Sequence, residues 1–505
     1  MSRAGRGDAQ AAESGGQRRG IVLLFSSLAL VMLLASLNST VFAPVLPSLV
    51  ASLQGLDMMP WVLAAYLLAS VAVMPVCGRV SDAYGRKPVL LAAIIAFAIG
   101  SLIGALAQDM ETVIVGRAVQ GLGGGGLVLL SQAAVADVVP ARERGRYAGI
   151  LGGVFAAASV GGPLLGGWFA EGPGWRWAFW INVPLSVIAA VGVIVLLRLP
   201  VPSRPEGTRL DFGGMLLMAV VATVVSLIAS WGGTALAWAS PEILVLAAIG
   251  LVAIAALVLV ERRVSSPVMP PLVFRDRDFL LSTVAALLLF AVMFGVLGYV
   301  PTYLQMVGRI SAVSAGLHMV PMAVVMLVGT TVSGMLISRT GRYRLYPVAG
   351  GVLVAVGMLL LALLGPDASV WWVSLHVGIV GLGLGLSTQV LLLVVQNAFP
   401  HSIVGTATGA HSLIRQIGAL LGTAVVGSLF TATLANLMST RLPGVVLPSP
   451  EALRALPEQV QTAVAGLYNE ALTPVFAWMA PLGVLAAIAS GLVSHRPLAR
   501  EIDRR

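Results

Sequence analysis

Apolar stretches of about 20 residues, each long enough to cross a hydrocarbon core of roughly 30 Å as an α-helix, follow one another along nearly the whole chain. That succession decides which solvent the fold must satisfy. With 58% hydrophobic and only 10% charged residues among 505, and a mean hydropathy of +0.96, the chain cannot assemble a water-exposed surface. In lipid each backbone N–H and C=O has to be bonded within its own segment unless a barrel closes, and the runs lack the alternation of barrel strands. The chain therefore reads as an all-α integral membrane protein.

Breaks at charged or Gly/Pro-rich residues divide the chain into fourteen expected spans. They lie near 21–42, 61–78, 89–107, 112–136, 147–169, 178–199, 212–230, 241–260, 279–300, 314–337, 345–364, 370–395, 403–434 and 473–493. The first run is too long for a signal-peptide core and lacks a small-residue cleavage site, so it is expected to remain as a span. Arginine placement supports an even count, because basic residues are retained on the cytoplasmic side. With both termini inside, Arg176, Arg309, Arg441 and Arg454 fall in outer loops and Arg117 and Arg415 within spans. All others of the 30 Lys and Arg fall in tails or inner loops, including Arg79, Arg142, Arg144, Arg146 and Arg339.

The +9 charge thus reflects topology in a cell (inner) membrane, with anionic headgroups as neighbours and no nucleic-acid partner, since the arginines form no single face. Residues 1–20, rich in Gly, Ala, Gln and Arg, are expected to form a disordered cytoplasmic tail, and 496–505 a second tail. The longer outer segment, about 435–472, carries an amphipathic run from Glu451 to Tyr468 that is expected to lie on the outer membrane surface.

Enzyme, metal and nucleotide chemistries find no support. The glycines at 121, 123 and 126 match GxGxxG, but no strand precedes them. The five histidines show no metal-ligand spacing, and the single Cys77 sits in an apolar run as a small buried hydrophobe. No cofactor is expected.

The loop after the second span reads Gly78-Arg-Val-Ser-Asp82-Ala-Tyr-Gly85-Arg86-Lys87, and the loop after the tenth reads Gly334-Met-Leu-Ile-Ser338-Arg-Thr-Gly341-Arg342. Both place Gly-Arg at the same distance from a first glycine. Setting spans 7 and 8 aside as an inserted pair leaves two halves of six with these loops in equivalent positions. Duplication of this kind is typical of secondary transporters, whose substrate site lies between the repeats.

In these loops the chain resembles the major facilitator superfamily, and within it the fourteen-span drug:proton antiporters. Arg117-Ala-Val-Gln120-Gly121 is similar to that group's buried-arginine motif, and Gly162-Pro163-Leu-Leu-Gly166-Gly167 to its antiporter motif. Trp175-Arg-Trp-Ala-Phe-Trp-Ile-Asn182-Val-Pro184, Tyr303-Leu-Gln305 and Gly405-Thr-Ala-Thr-Gly409 with Arg415-Gln416 extend the likeness over about residues 30 to 490. The resemblance implies two pseudo-symmetric six-helix bundles (21–200 and 266–495) joined by two linker helices (201–265), working as a monomer.

It also implies roles. Asp82 would face the start of span 13 near Ser402, and Arg86 would pair with Asp137 at the inner end of span 4, so that Gly78, Asp82, Gly85, Arg86 and Asp137 form a latch for the outward-open state. Gly162, Pro163, Gly166 and Gly167 would let a rocking interface bend and close-pack. Asn38, Arg117, Gln120, His411 and Arg415 would line the substrate and coupling cavity, a charge in mid-membrane being costly unless it has a function.

One departure bears on mechanism. Where the family often carries an acidic residue in span 1, this chain has Leu37-Asn38-Ser39-Thr40, and none of its 21 Asp and Glu lies at the centre of an expected span. A proton-coupled exporter must then use Asp137, His411 or His376, or dispense with protons. Two arginines without an acid disfavour multiply cationic drugs and favour neutral, zwitterionic or anionic amphiphiles. The expected function is export of hydrophobic or amphiphilic small molecules by proton antiport, the alternative being export or flipping of lipid-like metabolites without tight coupling.

Overall fold

The structure is a computed structural model that describes residues 3–54, 58–139, 153–154, 157–158, 161–162, 164–170, 172–197, 211–232, 236–264, 271–400, 403–441 and 457–498. Helices account for its regular structure: α1 (Arg3–Leu53), α2 (Met59–Tyr84), α3 (Arg86–Leu106), α4 (Met110–Val138) and α5 (Asn182–Leu196), then α6 (Phe212–Trp231) and α7 (Pro241–Glu261). The second half holds α8 (Arg277–Met306), α9 (Ala312–Thr340), α10 (Leu345–Ala362), α11 (Val370–Ala398), α12 (Val404–Arg441) and α13 (Glu458–Gly491).

Several starts were written locally. A Ser or Asp precedes the apolar run, and its side chain accepts a first-turn amide that has no helical partner: Asp109 from Thr112 (2.7 Å), Asp276 from Phe279 (2.9 Å), Ser311 from Ser314 (3.1 Å).

Among the described residues, twelve helices are long and apolar enough to cross a membrane. Two expected spans stand outside that number. Span 5 (147–169) is described only in separate pieces, and Phe212–Ile228 in α6 is apolar but shorter.

Two expectations need correction. Residues 3–20, expected as a disordered tail, continue the helix of the first span. Their Ala, Gln, Glu and Arg are good helix formers, and extending an existing helix avoids the cost of nucleation. The amphipathic run reaching Tyr468 is not a separate surface helix: from Glu458 onward it is the first part of α13, with Val464, Ala465 and Leu467 buried. One apolar stripe serves equally against a headgroup layer or against neighbouring helices, and the neighbours took it; 451–456 lie outside the described residues.

Each half has its own core. Leu28, Leu34, Phe97 and Leu130 pack in the first half, and Leu289, Val296, Met358, Leu384 and Phe476 in the second. The duplication read from the two loops is present in the packing. α2 and α3 both lie on α4, and α9 and α10 both lie on α11. Between the paired helices Gly85 has φ 92° and Gly341 φ 71°, backbone that an L side chain rarely adopts, which explains the repeated glycine.

The linker helices take unequal positions. α6 packs against α2 of one half and α12 of the other, and a shared cluster joins Ala72, Met218, Ala222, Phe279, Ala407 and Leu413. α7 rests on α6, and its Leu244, Val245, Leu251, Val252 and Leu259 are each more than half exposed, a face suited to lipid.

At the α10–α13 crossing a Cβ added to Gly351 would lie 2.7 Å from Ala487 N and from Gly483 O. Both are backbone atoms that cannot step aside as a side chain would. Gly351→Val is therefore expected to destabilise the protein by about 1–3 kcal/mol, seen as a lower melting temperature of purified protein, whereas the same change at Gly365, which has open space around it, should be tolerated.

Candidate functional site

Three groups of buried polar side chains stand out against the apolar bundle, and each joins elements distant in sequence. The first lies at the α2–α3 turn. Asp82 accepts the backbone N–H groups of Gly405 (3.1 Å) and Thr406 (2.6 Å) and the Thr406 hydroxyl (2.7 Å), so a carboxylate from the first half caps the start of α12 in the second. The unpaired amides and dipole of a helix N-terminus favour that charge. Arg86 pairs with Asp82 at 2.6 Å and with Asp137 at 3.2 Å, and donates to the Ser81 hydroxyl at 2.5 Å. These side chains are nearly excluded from solvent. Gly78 comes so close to α12 that a Cβ there would sit 2.7 Å from Gly405 O.

The second group is centred on Arg117 of α4, which is 1% exposed. Its Nε donates to Val62 O (2.9 Å) and its Nη1 to Gln120 Oε1 (2.7 Å), while Gln120 Nε2 donates to Ser101 Oγ (2.8 Å). The guanidinium lies between the rings of Phe42 (4.1 Å) and Tyr66 (4.4 Å). Beside it Asn38 accepts from Asn182 Nδ2 of α5 (3.2 Å), and the Asn38 Nδ2 and Asn182 Oδ1 atoms have no partner.

The third group is on α12. His411 Nδ1 meets the Thr283 hydroxyl of α8 at 3.0 Å, and Arg415 one turn on lies over the Phe290 ring at 4.5 Å.

The residues of the glycine-rich motif lie against α1. A Cβ on Gly162 would collide with Thr40, one on Gly166 with Val41 O, and Thr40 Oγ1 donates to Ala158 O at 3.0 Å. Gly167 faces open space and Pro163 lies outside the described residues.

Residues 28–423 match the family model described as Major Facilitator Superfamily. The chain belongs to that superfamily. Its members are transporters, not enzymes. An uncharacterised MFS-type transporter of Mycobacterium tuberculosis is 38% identical over 94% of this chain and 70% of its own length. A multidrug transporter protein of Bacillus subtilis is 31% identical over 83% of this chain and 77% of its own. Among solved structures, the human organic anion transporter MFSD10 superposes with a TM-score of 0.64 at 16% identity, covering 93% of this chain and 99% of that one. At that identity the likeness shows the fold.

Against this superfamily background, the geometry joins some expected residues and separates others. Gly78, Asp82, Gly85, Arg86 and Asp137 meet at one mouth, with the α12 contact falling on Gly405 and Thr406; Ser402 lies outside the described residues. Arg117 and Gln120 are hydrogen-bonded to each other, Asn38 meets Asn182, and His411 and Arg415 stand one turn apart on α12.

Two partners carried no signal usable from sequence. Asn182 meets Asn38 from 144 positions away. Arg496, assigned to a tail, instead pairs with Asp276 (2.8 Å) and Asp278 (2.7 Å), and its backbone N–H donates to the Tyr343 hydroxyl (2.7 Å). The hydrogen bond to Asp276 raises the pKa of this guanidinium above its ordinary value. This clamp sits beside the turn that duplicates the Asp82 loop, at the position where Ser338 replaces the aspartate.

Proposed function

We propose that the chain is a fourteen-span, proton-coupled exporter of hydrophobic or amphiphilic small molecules in the cytoplasmic (inner) membrane. It acts as a monomer with both termini inside, and its halves rock about a central site. The observation that carries this reading is the cap that Asp82 places on α12: it ties the two halves at one mouth through charge and hydrogen bonds, which a conformational change can break and re-form. In this reading the mouth is the inner one and the conformation is closed to the cytoplasm. Gly162 and Gly166 against α1 supply the close contact on which the first half flexes.

Asp137 is the proposed proton acceptor. It stands at the end of α4 against Arg86, where protonation would withdraw one of the two anions that hold the guanidinium in the latch. Protonation and opening are then one event. Efflux pumps and multidrug transporters among the relatives support export as the direction, and α6 lying over the α2–α12 seam favours a soluble or amphiphilic substrate over lipid flipping.

The test is purified protein in proteoliposomes under an imposed pH gradient, with proton movement recorded as amphiphiles are added. Substrate-dependent proton flux is expected from the native protein, and Asp137→Asn should reduce that flux at least about tenfold while substrate still binds. Flux unchanged in the variant would remove Asp137 from the coupling path. No flux with any amphiphile would end the antiport reading.

A further inference from the structure

Two of the buried arginines, Arg117 of α4 and Arg415 of α12, differ in what surrounds them. Arg117 is well supported: two of its three nitrogens have acceptors and the guanidinium lies over the rings of Phe42 and Tyr66. Arg415 is 7% exposed, has no hydrogen-bond acceptor and no carboxylate among the described residues, and keeps Nε as a buried nitrogen without a partner. A guanidinium held this way is poorly compensated, and a buried Nε without an acceptor invites an explanation.

Its neighbours supply one. Thr408, His411, Ser412 and Arg415 follow the i, i+3, i+4, i+7 spacing that places residues on a single face of α12, and all four are buried. Each of them has a polar atom without a partner: Thr408 Oγ1, His411 Nε2, Ser412 Oγ and Arg415 Nε. From α8 the Ser282 hydroxyl is buried and unpartnered as well. Hydroxyls and a guanidinium, with no carboxylate in the group, form the donor set that an oxyanion accepts from. Phe290, packed against Arg415 and stacked on Phe294 at 6.2 Å, offers an apolar surface beside the charge.

We propose that this stripe of α12 binds the anionic head of an amphiphile, a carboxylate, sulfonate or phosphate, with the apolar body on the Phe290 side, and that Arg117 holds the first half together instead of touching substrate. This rests on the export reading above and narrows its substrate class to organic anions. The head takes the fork of Arg415, which can bond two oxygens at once, and the Ser412 and Thr408 hydroxyls complete its shell.

The experiment compares three probes on one ring system: 1-naphthylacetate, neutral 1-naphthylacetamide and cationic 2-(1-naphthyl)ethylammonium, binding to purified full-length protein in phosphatidylcholine nanodiscs. The native protein should prefer the carboxylate to the amide and to the cation by roughly tenfold or more. Arg415→Gln should bring carboxylate and amide to within about threefold, and Arg415→Lys should keep part of the preference, since a point charge replaces a fork. Arg117→Lys should lower thermal stability without changing the order of the three probes.

If Arg415→Gln does not fold, the double variant Thr408→Val/Ser412→Ala carries the same question with the charge intact, and is expected to lose at least about threefold in carboxylate binding alone. Repeating the assay with phosphatidylglycerol in the disc separates the sources of the anion. Competition by that lipid assigns the stripe to a headgroup, and none assigns it to a solute. The site is overturned if the native protein does not prefer the carboxylate, or if both the Arg415→Gln and the hydroxyl variants keep the preference. Selective binding without movement across liposomes would remove the export reading and leave the site, whereas export of neutral compounds with no carboxylate preference would do the reverse.

Discussion

Asp82→Asn is expected to lower export at least about tenfold while leaving the protein folded, because one carboxylate does the work of three contacts in the closed state. Its two oxygens accept from Gly405 N, Thr406 N and Thr406 Oγ1 and also meet Arg86. Asparagine keeps a single acceptor oxygen, and its NH2 would face amide and guanidinium donors. Arg86 would then be left buried against Asp137 as its remaining anion. Breaking a buried pair by removing one partner costs about 3–5 kcal/mol. On the latch proposed above, the cost falls on one conformation, the one in which this mouth is shut. A shift of about 1.4 kcal/mol moves a two-state equilibrium tenfold, so even half of that loss displaces the population toward opening at this end.

Two measurements check it. Transport in proteoliposomes should fall, and spin labels at the exposed Tyr84 and Arg344, one on each half, should report a longer mean separation. Native transport together with an unchanged separation would mean that Asp82 shapes a loop and does not hold a latch.

Arg117→Met should have a different kind of effect, on the fold before the function. Arg117 has no carboxylate partner among the described residues, so removing its charge strands no counterion; it strands acceptors. Val62 O and Gln120 Oε1 each lose a donor in a buried place, and Phe42 and Tyr66 lose the cation between them. Val62 O keeps its bond within α2, so the acceptor left unsatisfied is Gln120 Oε1; that costs about 1–3 kcal/mol and a desolvated cation–π contact about 2 kcal/mol, together about 3–5 kcal/mol. Methionine recovers part of this by filling the volume, and lysine should recover less than half, because one ammonium cannot reach both acceptors while lying flat between two rings. The melting temperature and the monodisperse yield of purified protein are the readouts. A variant that melts like the native protein but no longer exports would make Arg117 a substrate contact and reverse its assignment.

The contrast between these residues marks how far sequence reasoning reached. The meeting of Asp82 with the start of α12 and of Arg86 with Asp137 was expected only through the resemblance of the loop to the superfamily, since nothing in the loop itself names a partner in another span. Asn38 was singled out for the acid it replaces, yet its contact with Asn182 could not be read, since neither residue carries a pattern that names a partner in a different span. The run to Tyr468 misled because amphipathicity records that one side is apolar and does not record what will cover it.

What the sequence alone determined is the set of properties that depend on one segment at a time: which stretches must be helical in lipid, which loops hold the basic residues, and that two loops repeat a glycine at the same spacing. These are local because backbone hydrogen bonds close within a helix and hydrophobic length is counted along the chain. Tertiary structure decided everything that depends on which faces meet. It set α6 over the α2–α12 seam and drew Arg496 onto Asp276 and Asp278. It also gave Arg117 its acceptors while leaving Arg415 with none. Two buried arginines came to differ because packing supplies acceptors to one helix face and not to another, and burial turns that difference into several kcal/mol.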